Sequence, residues 1–289
     1  MSKLLHILTV FIILLAIVTS GLGLFHKTGG EPFYFVNQYG DTVQMYGDGI
    51  YKNDSYFMAL IFKGTDFTIL FFAIPVLIFA LLMDGRNNNL KTKLFLTAVV
   101  SFFLYYSASI SFGVKYNILH LIYSALFACC FFAFLIGFSL VKNYSIKSSI
   151  KLCTNGLKVF LVLCGLSLFV AWLPDIIVSL SNNRSLALIE IYTTQITYVL
   201  DMAIISPVIF ICLYKLRKDD KLGYILLAII LMNLILIGIT VINQTIFQRM
   251  GGIELPIEVM ITKIGIFVIL AIFGLYYQIK LFKTAYNPT

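Results

Sequence analysis

The sequence predicts an all-α integral membrane protein, a bundle of eight transmembrane helices with both termini in the cytoplasm. Eight apolar runs are each long enough to cross a bilayer, which takes about 20 residues in a helix. The connections between these runs alternate along the chain between basic and acidic character. The composition, finally, is far more apolar than that of a soluble protein.

Composition excludes several classes of protein. Hydrophobic residues make up 60% of the 289 residues and charged residues 12%, with a mean hydropathy of +0.96. Soluble domains carry about 25% charged residues, so that class is excluded. Eight spans use roughly 170 residues, so residues 1–289 are predicted to form a single polytopic membrane domain. The net charge of +8 does not indicate nucleic-acid binding, because the basic residues are spread over several connections. The lipid bilayer is the expected partner.

The basic residues predict the orientation, because cytoplasmic connections of membrane proteins are enriched in lysine and arginine. With a cytoplasmic N-terminus, the inner segments hold 14 of the 21 basic residues: Lys3, Arg86, Lys91, Lys93, Lys142, Lys147, Lys151, Lys158, Lys215, Arg217, Lys218, Lys221, Lys280 and Lys283. The outer segments hold six: Lys27, Lys52, Lys63, Lys115, Arg184 and Arg249. The last basic residue, Lys263, lies inside the eighth span.

The spans are predicted, in chain order, at residues 4–25, 66–83, 94–114, 117–141, 158–179, 194–214, 222–246 and 256–279. The first run has the small residues of a signal-peptide cleavage site near Ser20, but it stays apolar through Phe25. A retained span is therefore expected. Pro174 is expected to interrupt the fifth span, because proline removes a helical hydrogen bond.

Residues 26–65 are predicted to form an extracytoplasmic cap segment that contains a β-hairpin. Aromatic and β-branched residues at Phe33–Val36 and Thr42–Tyr46 flank a Gly40-Asp41 turn. Asp54 or Ser55 is placed to cap a following helix. No cysteine lies in an outer segment, so no disulfide is expected to hold the cap. A two-stranded hairpin is marginal alone, so the cap must pack on the bundle.

The order of the spans also predicts a parallel internal repeat of four plus four helices. In the second span, Asp66 precedes Pro75 and a basic connection follows; in the sixth, Asp201 precedes Pro207 in the same way. The acid-to-proline spacing differs between the two, nine residues against six. Coincidence is the alternative explanation.

The first candidate site consists of the two oppositely charged residues within spans, Asp201 and Lys263. Each lies seven positions from the outer end of its predicted span, roughly 10 Å deep at 1.5 Å per residue. Charges inside a membrane are costly and are usually paired or functional. Their equal depth predicts a pair, which either clips two helices together or forms part of an ion or substrate site.

The fourth span carries a second candidate group, in which Asn117 and His120 share a helix face with Ser124. A lone histidine is more often a packing residue than a ligand. The other histidines, His6 and His26, lie at or near the two ends of the first span, and no bis-histidine spacing exists. No metal site is expected, and no motif identifies a cofactor.

The acidic residues form the third group, because ten of the thirteen lie in or near outer segments. Among these, Asp54, Asp66, Asp175 and Asp201 are candidate ligand-binding residues. Solvation of loops does not fully explain the residues at or below span ends. Trp172, close to Asp175, is typical of the aromatic belt at a membrane interface.

Several segments resemble a broad set of polytopic bacterial membrane proteins to which no activity is assigned. They are Tyr46–Ser55, Gly64–Asp66, Phe112–Asn117, Leu173–Asp175 and Leu200–Asp201. The resemblance spans nearly the whole chain and implies a multi-pass protein of a bacterial plasma membrane. It implies no substrate or cofactor.

Three functions remain open from the sequence. The first is a protein that binds a small molecule or ion in a polar cavity open to the outer face, with transport as one use of such a cavity. The second is a membrane enzyme acting on a lipid or isoprenoid headgroup at the outer leaflet, with Asp54, Asp66 or Asp201 as acid or base. The third is a scaffold or sensor subunit of a membrane complex. A transporter predicts a cavity that reaches mid-depth and has broken helices around it. An enzyme predicts a cavity that is closed at mid-depth and lined by carboxylates of perturbed pKa, and a scaffold predicts no cavity.

Overall fold

The fold is a helical bundle with a small two-stranded sheet at one end. The computed structural model describes residues 1–143, 153–186, 188–257 and 260–284, except for the side chains of residues 262, 263 and 284. Eight helices in these ranges are long and apolar enough to cross a membrane, which confirms the predicted multi-pass architecture. They are α1 (Ser2–Phe25), α2 (Tyr56–Asn87), α3 (Leu90–Gly113), α4 (His120–Lys142), α5 (Asn155–Ser181), α6 (Ile196–Arg217), α7 (Lys221–Met250) and α8 (Ile266–Lys283).

The sheet is an antiparallel hairpin of β1 (Phe33–Val36) and β2 (Thr42–Met45), with Phe33 opposite Met45. It confirms the predicted hairpin. The Asn37 side chain holds the turn by accepting hydrogen bonds from the backbone N–H groups of Tyr39 and Asp41, each at 2.9 Å. On the face toward the bundle, Val43 and Met45 form a small buried cluster with Ile191 and Tyr192. We call this end of the bundle the hairpin end.

α2 begins ten residues before the predicted second span. Ser55 caps it by accepting a hydrogen bond from the Met58 N–H at 3.2 Å, as the sequence indicated. Lys63 is accommodated in this first part of the helix because its ammonium donates to the last carbonyls of α1, those of Gly23 (3.5 Å) and Leu24 (3.1 Å). The cap connection is therefore only residues 26–55, and Asp66 lies within the helix.

α3 and α7 form the centre of the bundle. They are the most buried of the described spans, and they contact each other. α4 packs mainly on α3 and α1, while α2, α6 and α8 pack on α7. α3 and α7 are the third and seventh spans in chain order, and the four-plus-four repeat stays a prediction.

α2 and α6 share an unusual local structure. Each contains a five-residue π-helical turn, Ile69–Ala73 in α2 and Asp201–Ile205 in α6. In both, an α-helical segment resumes with proline as its second residue, Pro75 or Pro207. Proline in a helix clashes with the carbonyl four residues before it, and the wider turn relieves that clash. The acids differ: Asp66 precedes its turn by three residues, whereas Asp201 begins its turn.

The expected interruption at Pro174 is wrong. α5 is assigned as one continuous helix from Asn155 to Ser181, with Pro174 inside it. A third π-helical turn, Met260–Gly265, precedes α8.

At the end opposite the hairpin, a buried charged network joins the first three helices. The Asp84 carboxylate lies 2.9 Å from the Lys93 ammonium and 2.7 Å from the His6 ring nitrogen. The Thr92 hydroxyl donates to its other oxygen at 3.0 Å. α2 and α3 are joined by only two residues, and Asn89 forms a capping box with Thr92. This tight connection brings Asp84 and Lys93 together.

Candidate functional site

Asp201 is the centre of the candidate site. Its side chain is buried, with 3% of the residue exposed. The Tyr105 hydroxyl of α3 donates to one carboxylate oxygen at 3.0 Å, and the Trp172 indole N–H of α5 donates to the other at 2.9 Å. Three helices thus meet at this carboxylate. Both donors are neutral, so they satisfy hydrogen bonds without neutralising the charge.

A cavity of about 290 Å³ lies beside Asp201, between α2, α3, α5, α6, α7 and the start of α8. Most of its wall is apolar. The polar lining residues are Thr65, Tyr105, Tyr106, Ser109, Gln195, Thr197, Tyr198, Asp201, Thr240, Gln244, Thr245 and Gln248. Among the described lining residues, Asp201 is the one with a formal charge. The cavity therefore combines an apolar interior with a single anionic group.

Aromatic rings form the wall next to Asp201. Trp172 stacks on Tyr198, with ring centroids 4.5 Å apart and planes at 23°. Phe267 of α8 lies 6.4 Å from Trp172. The Tyr198 hydroxyl donates to Asp175 at 2.9 Å, which fixes the ring beside the cavity. Asp175 thus supports the aromatic wall.

A wider cleft of about 930 Å³ opens above the cavity at the hairpin end. It lies between the hairpin, the end of α5 and the segment before α6. Phe57, Leu188 and Tyr198 line both the cleft and the cavity, so these side chains form the boundary between them. The charged residues lining the cleft are Asp41, Asp175, Arg184 and Glu190.

Asp54 anchors the cap next to this cleft. One carboxylate oxygen accepts hydrogen bonds from the Lys115 N–H (3.0 Å) and the Tyr192 hydroxyl (2.9 Å). The other is buried and has no hydrogen-bond partner among the described residues. Burial raises the pKa of Asp54 to about 7, although these two hydrogen bonds and the Lys115 charge oppose the shift. Beside it, Glu190 accepts from the Ser55 hydroxyl, and burial raises the Glu190 pKa too.

Asp66 is separate from the cavity and lines neither space. The Tyr51 hydroxyl of the cap donates to one oxygen at 2.6 Å, and the Tyr106 hydroxyl of α3 to the other at 3.4 Å. Gly23 makes this close approach feasible, because a Cβ there would lie 2.1 Å from an Asp66 oxygen. Asp66 therefore attaches the cap to the bundle.

The remaining predicted residues fall in three places. Asn117 stabilises the turn before α4, where it accepts from the Leu119 N–H at 2.9 Å. His120 is exposed at the start of α4, with its ring 5.2 Å from that of Tyr116. The Lys263 side chain lies outside the described part of the chain, so its pairing with Asp201 stays a prediction. Among the described residues, no three His, Cys, Asp or Glu side chains are grouped to hold a metal ion.

The partners of Asp201 did not follow from the sequence. Trp172 was interpreted as an interfacial residue, and Tyr105 was not singled out. One signal was available: Trp172 and Asp175 are three residues apart, as are Tyr198 and Asp201, so each pair shares a helix face. Tyr105 gave no comparable signal, because it reaches Asp201 from another helix.

Comparison with known proteins finds no matching family model, no matching curated protein and no matching solved structure. The geometry and chemistry of the cavity therefore carry the functional argument.

Proposed function

We propose that this membrane protein binds a small molecule in the cavity beside Asp201 and takes it up from the extracytoplasmic side, through the cleft at the hairpin end. The observation that carries the proposal is a cavity that has one buried carboxylate among its described lining residues and adjoins a wider cleft. Ligand sites are typically concave and mostly apolar, with a few placed polar groups. The cavity agrees with that description.

The cavity also counts against a scaffold, whose polar residues should satisfy one another without leaving space. Asp66 is poorly suited to act as an acid or base on a cavity ligand, because it does not line the cavity and its oxygens accept hydrogen bonds from Tyr51 and Tyr106. Asp201 is the buried carboxylate that a cavity ligand could reach.

Transport is a second candidate function, favoured by the depth of the cavity. Its deepest lining residues on the central helices are Phe102 and Ile237, near the midpoints of α3 and α7. The π-helical turn Asp201–Ile205 borders it, and such turns are frequent at functional sites. A site near mid-depth is what alternating access from two sides requires.

Filling the cavity tests ligand binding. A small-molecule library is screened by thermal shift against the purified protein and against Thr240→Phe, which places a ring in the cavity. The control is Ile242→Phe, because Ile242 lies on the same helix outside the cavity lining and is 40% exposed. We expect ligands that stabilise the wild type and the control but not Thr240→Phe. Equal stabilisation of all three proteins would contradict binding in the cavity. Uptake of a ligand found this way into proteoliposomes then tests transport.

Cysteine labelling tests the orientation. In a cysteine-free background, Asn182→Cys at the hairpin end should react with an impermeant thiol reagent added to intact cells. Asn88→Cys at the other end should not. Both positions are exposed. The reverse result would place the cleft in the cytoplasm.

A further inference from the structure

We propose that the cavity ligand is a small organic cation, an amine or quaternary ammonium on an apolar body, with its nitrogen next to Asp201. This inference rests on the proposed function and assigns its ligand class. Three features of the described residues carry it: the charge of the cavity, its aromatic wall and the charge of the cleft.

The first feature is the negative charge that Asp201 gives the cavity. Asp201 is buried in an apolar surrounding, and its two hydrogen bonds come from neutral donors. A buried charge is costly unless it is paired. Among the described residues, no basic side chain forms an ion pair with it. Its counter-cation is therefore either Lys263 or a ligand, and the ligand alternative requires a cationic molecule.

The aromatic wall fits such a cation. The faces of tryptophan and tyrosine attract positive charge, most strongly where water is excluded. Trp172, Tyr198 and Phe267 stand together beside the carboxylate. An anion placed there would be repelled by the carboxylate and by the negative faces of the rings. A neutral ligand would leave the charge of Asp201 uncompensated.

The volume and the apolar wall of the cavity limit the size and the polarity of the rest of the ligand. At about 290 Å³, the cavity lies at the lower end of the roughly 300–1,000 Å³ range of ligand pockets, so the molecule is small. Its mostly apolar wall suits a ring or a short alkyl chain. The Gln248 side-chain nitrogen is buried and has no hydrogen-bond partner among the described residues. An acceptor atom on the ligand, such as a hydroxyl oxygen, would satisfy it.

The cleft, like Asp201, favours a positively charged ligand. Among the described residues that line it, Asp41, Asp175 and Glu190 are acidic and Arg184 is basic, and Asp175 also accepts a hydrogen bond from Tyr198. A cleft with an excess of one charge concentrates ligands of the opposite charge. A cation would thus be favoured in the cleft and again at Asp201.

Binding to the full-length protein in nanodiscs, measured by calorimetry, tests the proposal. The cationic probes are 2-phenylethylamine and tetraethylammonium, and the neutral and anionic counterparts are 2-phenylethanol and 3-phenylpropanoate. We expect at least one cation to bind at least tenfold more tightly than both counterparts. Asp201→Asn should weaken that binding at least tenfold. Asp66→Asn, which changes a buried carboxylate that does not line the cavity, should weaken it by less than about threefold.

The other outcomes overturn the proposal in distinguishable ways. If 2-phenylethanol or 3-phenylpropanoate binds as tightly as the cations and Thr240→Phe abolishes it, the cavity binds ligands of another class. If the cations bind only after Lys263→Gln, Lys263 is the counter-cation and the native site is not cationic. If no probe binds the wild type or Lys263→Gln, the ligand class is wrong. The library screen with Thr240→Phe then decides the proposed function separately.

Discussion

Asp66 of α2 and Asp201 of α6 are two buried carboxylates whose surroundings differ. Each lies at or three residues before a π-helical turn that ends two residues before a proline. Each accepts a hydrogen bond from a tyrosine of α3, Tyr106 for Asp66 and Tyr105 for Asp201. Beside Asp66 the space is filled by Tyr51, whereas beside Asp201 it remains a cavity. One arrangement thus holds the cap, and the other leaves room for a ligand.

The difference arises from two of the connections at the hairpin end. Residues 26–55 between α1 and α2 are long enough to form a hairpin and still insert Tyr51 among the helices. The shorter connection between α5 and α6 packs Ile191 and Tyr192 under the hairpin instead. The lesson is that a buried acid becomes a candidate site only where no part of the chain occupies the space next to it.

The largest loss of stability should come from a side chain at Gly23 that occupies the space of the Asp66 carboxylate and the Tyr51 hydroxyl. A side chain at Gly23 would overlap the Asp66 oxygen and lie 2.7 Å from the Tyr51 hydroxyl. We expect Gly23→Val to lower the free energy of unfolding by about 3–5 kcal/mol, through overpacking and a displaced buried charge. Gly21→Val is the matched control, because no atom lies within 4 Å of a Cβ there. Similar losses of thermal stability in the two variants would show that the Asp66 side is not tightly filled.

The next largest effect should be the pH dependence of the free energy of unfolding that Asp54, the anchor of the cap, produces. The pKa of Asp54 is about 7 in the folded protein against an ordinary 3.8, so between these values only the folded state keeps the proton. The free energy of unfolding should therefore fall as pH rises from about 4 to about 7, by roughly 3 kcal/mol, and level off above. Denaturation of the purified protein across this range measures the slope.

Asp54→Asn should remove that slope. The groups that face Asp54 are Lys115, Tyr192 and Tyr123, and Glu190 follows through Ser55. Glu190→Gln is therefore the control, and it should retain most of the slope. A slope that survives in Asp54→Asn but disappears in Glu190→Gln would assign the titration to Glu190 instead.

The smallest expected effect is the difference in stability loss when each carboxylate loses its tyrosine donor. Tyr51→Phe leaves an Asp66 oxygen in a filled space without its donor, and should cost about 2 kcal/mol. Tyr105→Phe removes a donor from Asp201, but the adjoining cavity is large enough to admit water in its place. We expect that loss to stay below about 1 kcal/mol. Equal losses in thermal or denaturant unfolding would mean that the two sites are equally dry.

The sequence predicts the features that depend on local chemistry. Long apolar runs predict the eight helices, and Gly40 and Asp41 predict the turn between two strands. Ser55 was correctly placed as a helix cap. The start of α2 at Tyr56 was not predicted, since Lys63 and Asp66 resemble a span boundary. Their hydrogen bonds to α1 and Tyr51 depend on packing that the sequence does not display.

The candidate site was predicted only in part for the same reason. Depth in the membrane follows from position along a span, so Asp201 could be identified as a buried charge. The identity of its partners depends on how each helix is rotated about its axis. Tyr105 and Trp172 reach it from α3 and α5, and depth alone does not predict that. His120 shows the converse: its position suggested a site, but its ring is exposed at the start of α4.

Tyr105 and Tyr106 are consecutive residues of α3, so a movement of this helix as a whole shifts both side chains. A rotation of α3 that changes the contact with Asp201 also changes the contact with Asp66, and through it the hold on Tyr51. Any such link is reciprocal in free energy. A molecule that binds more tightly when the cap is closed must, by the same amount, make the cap harder to release.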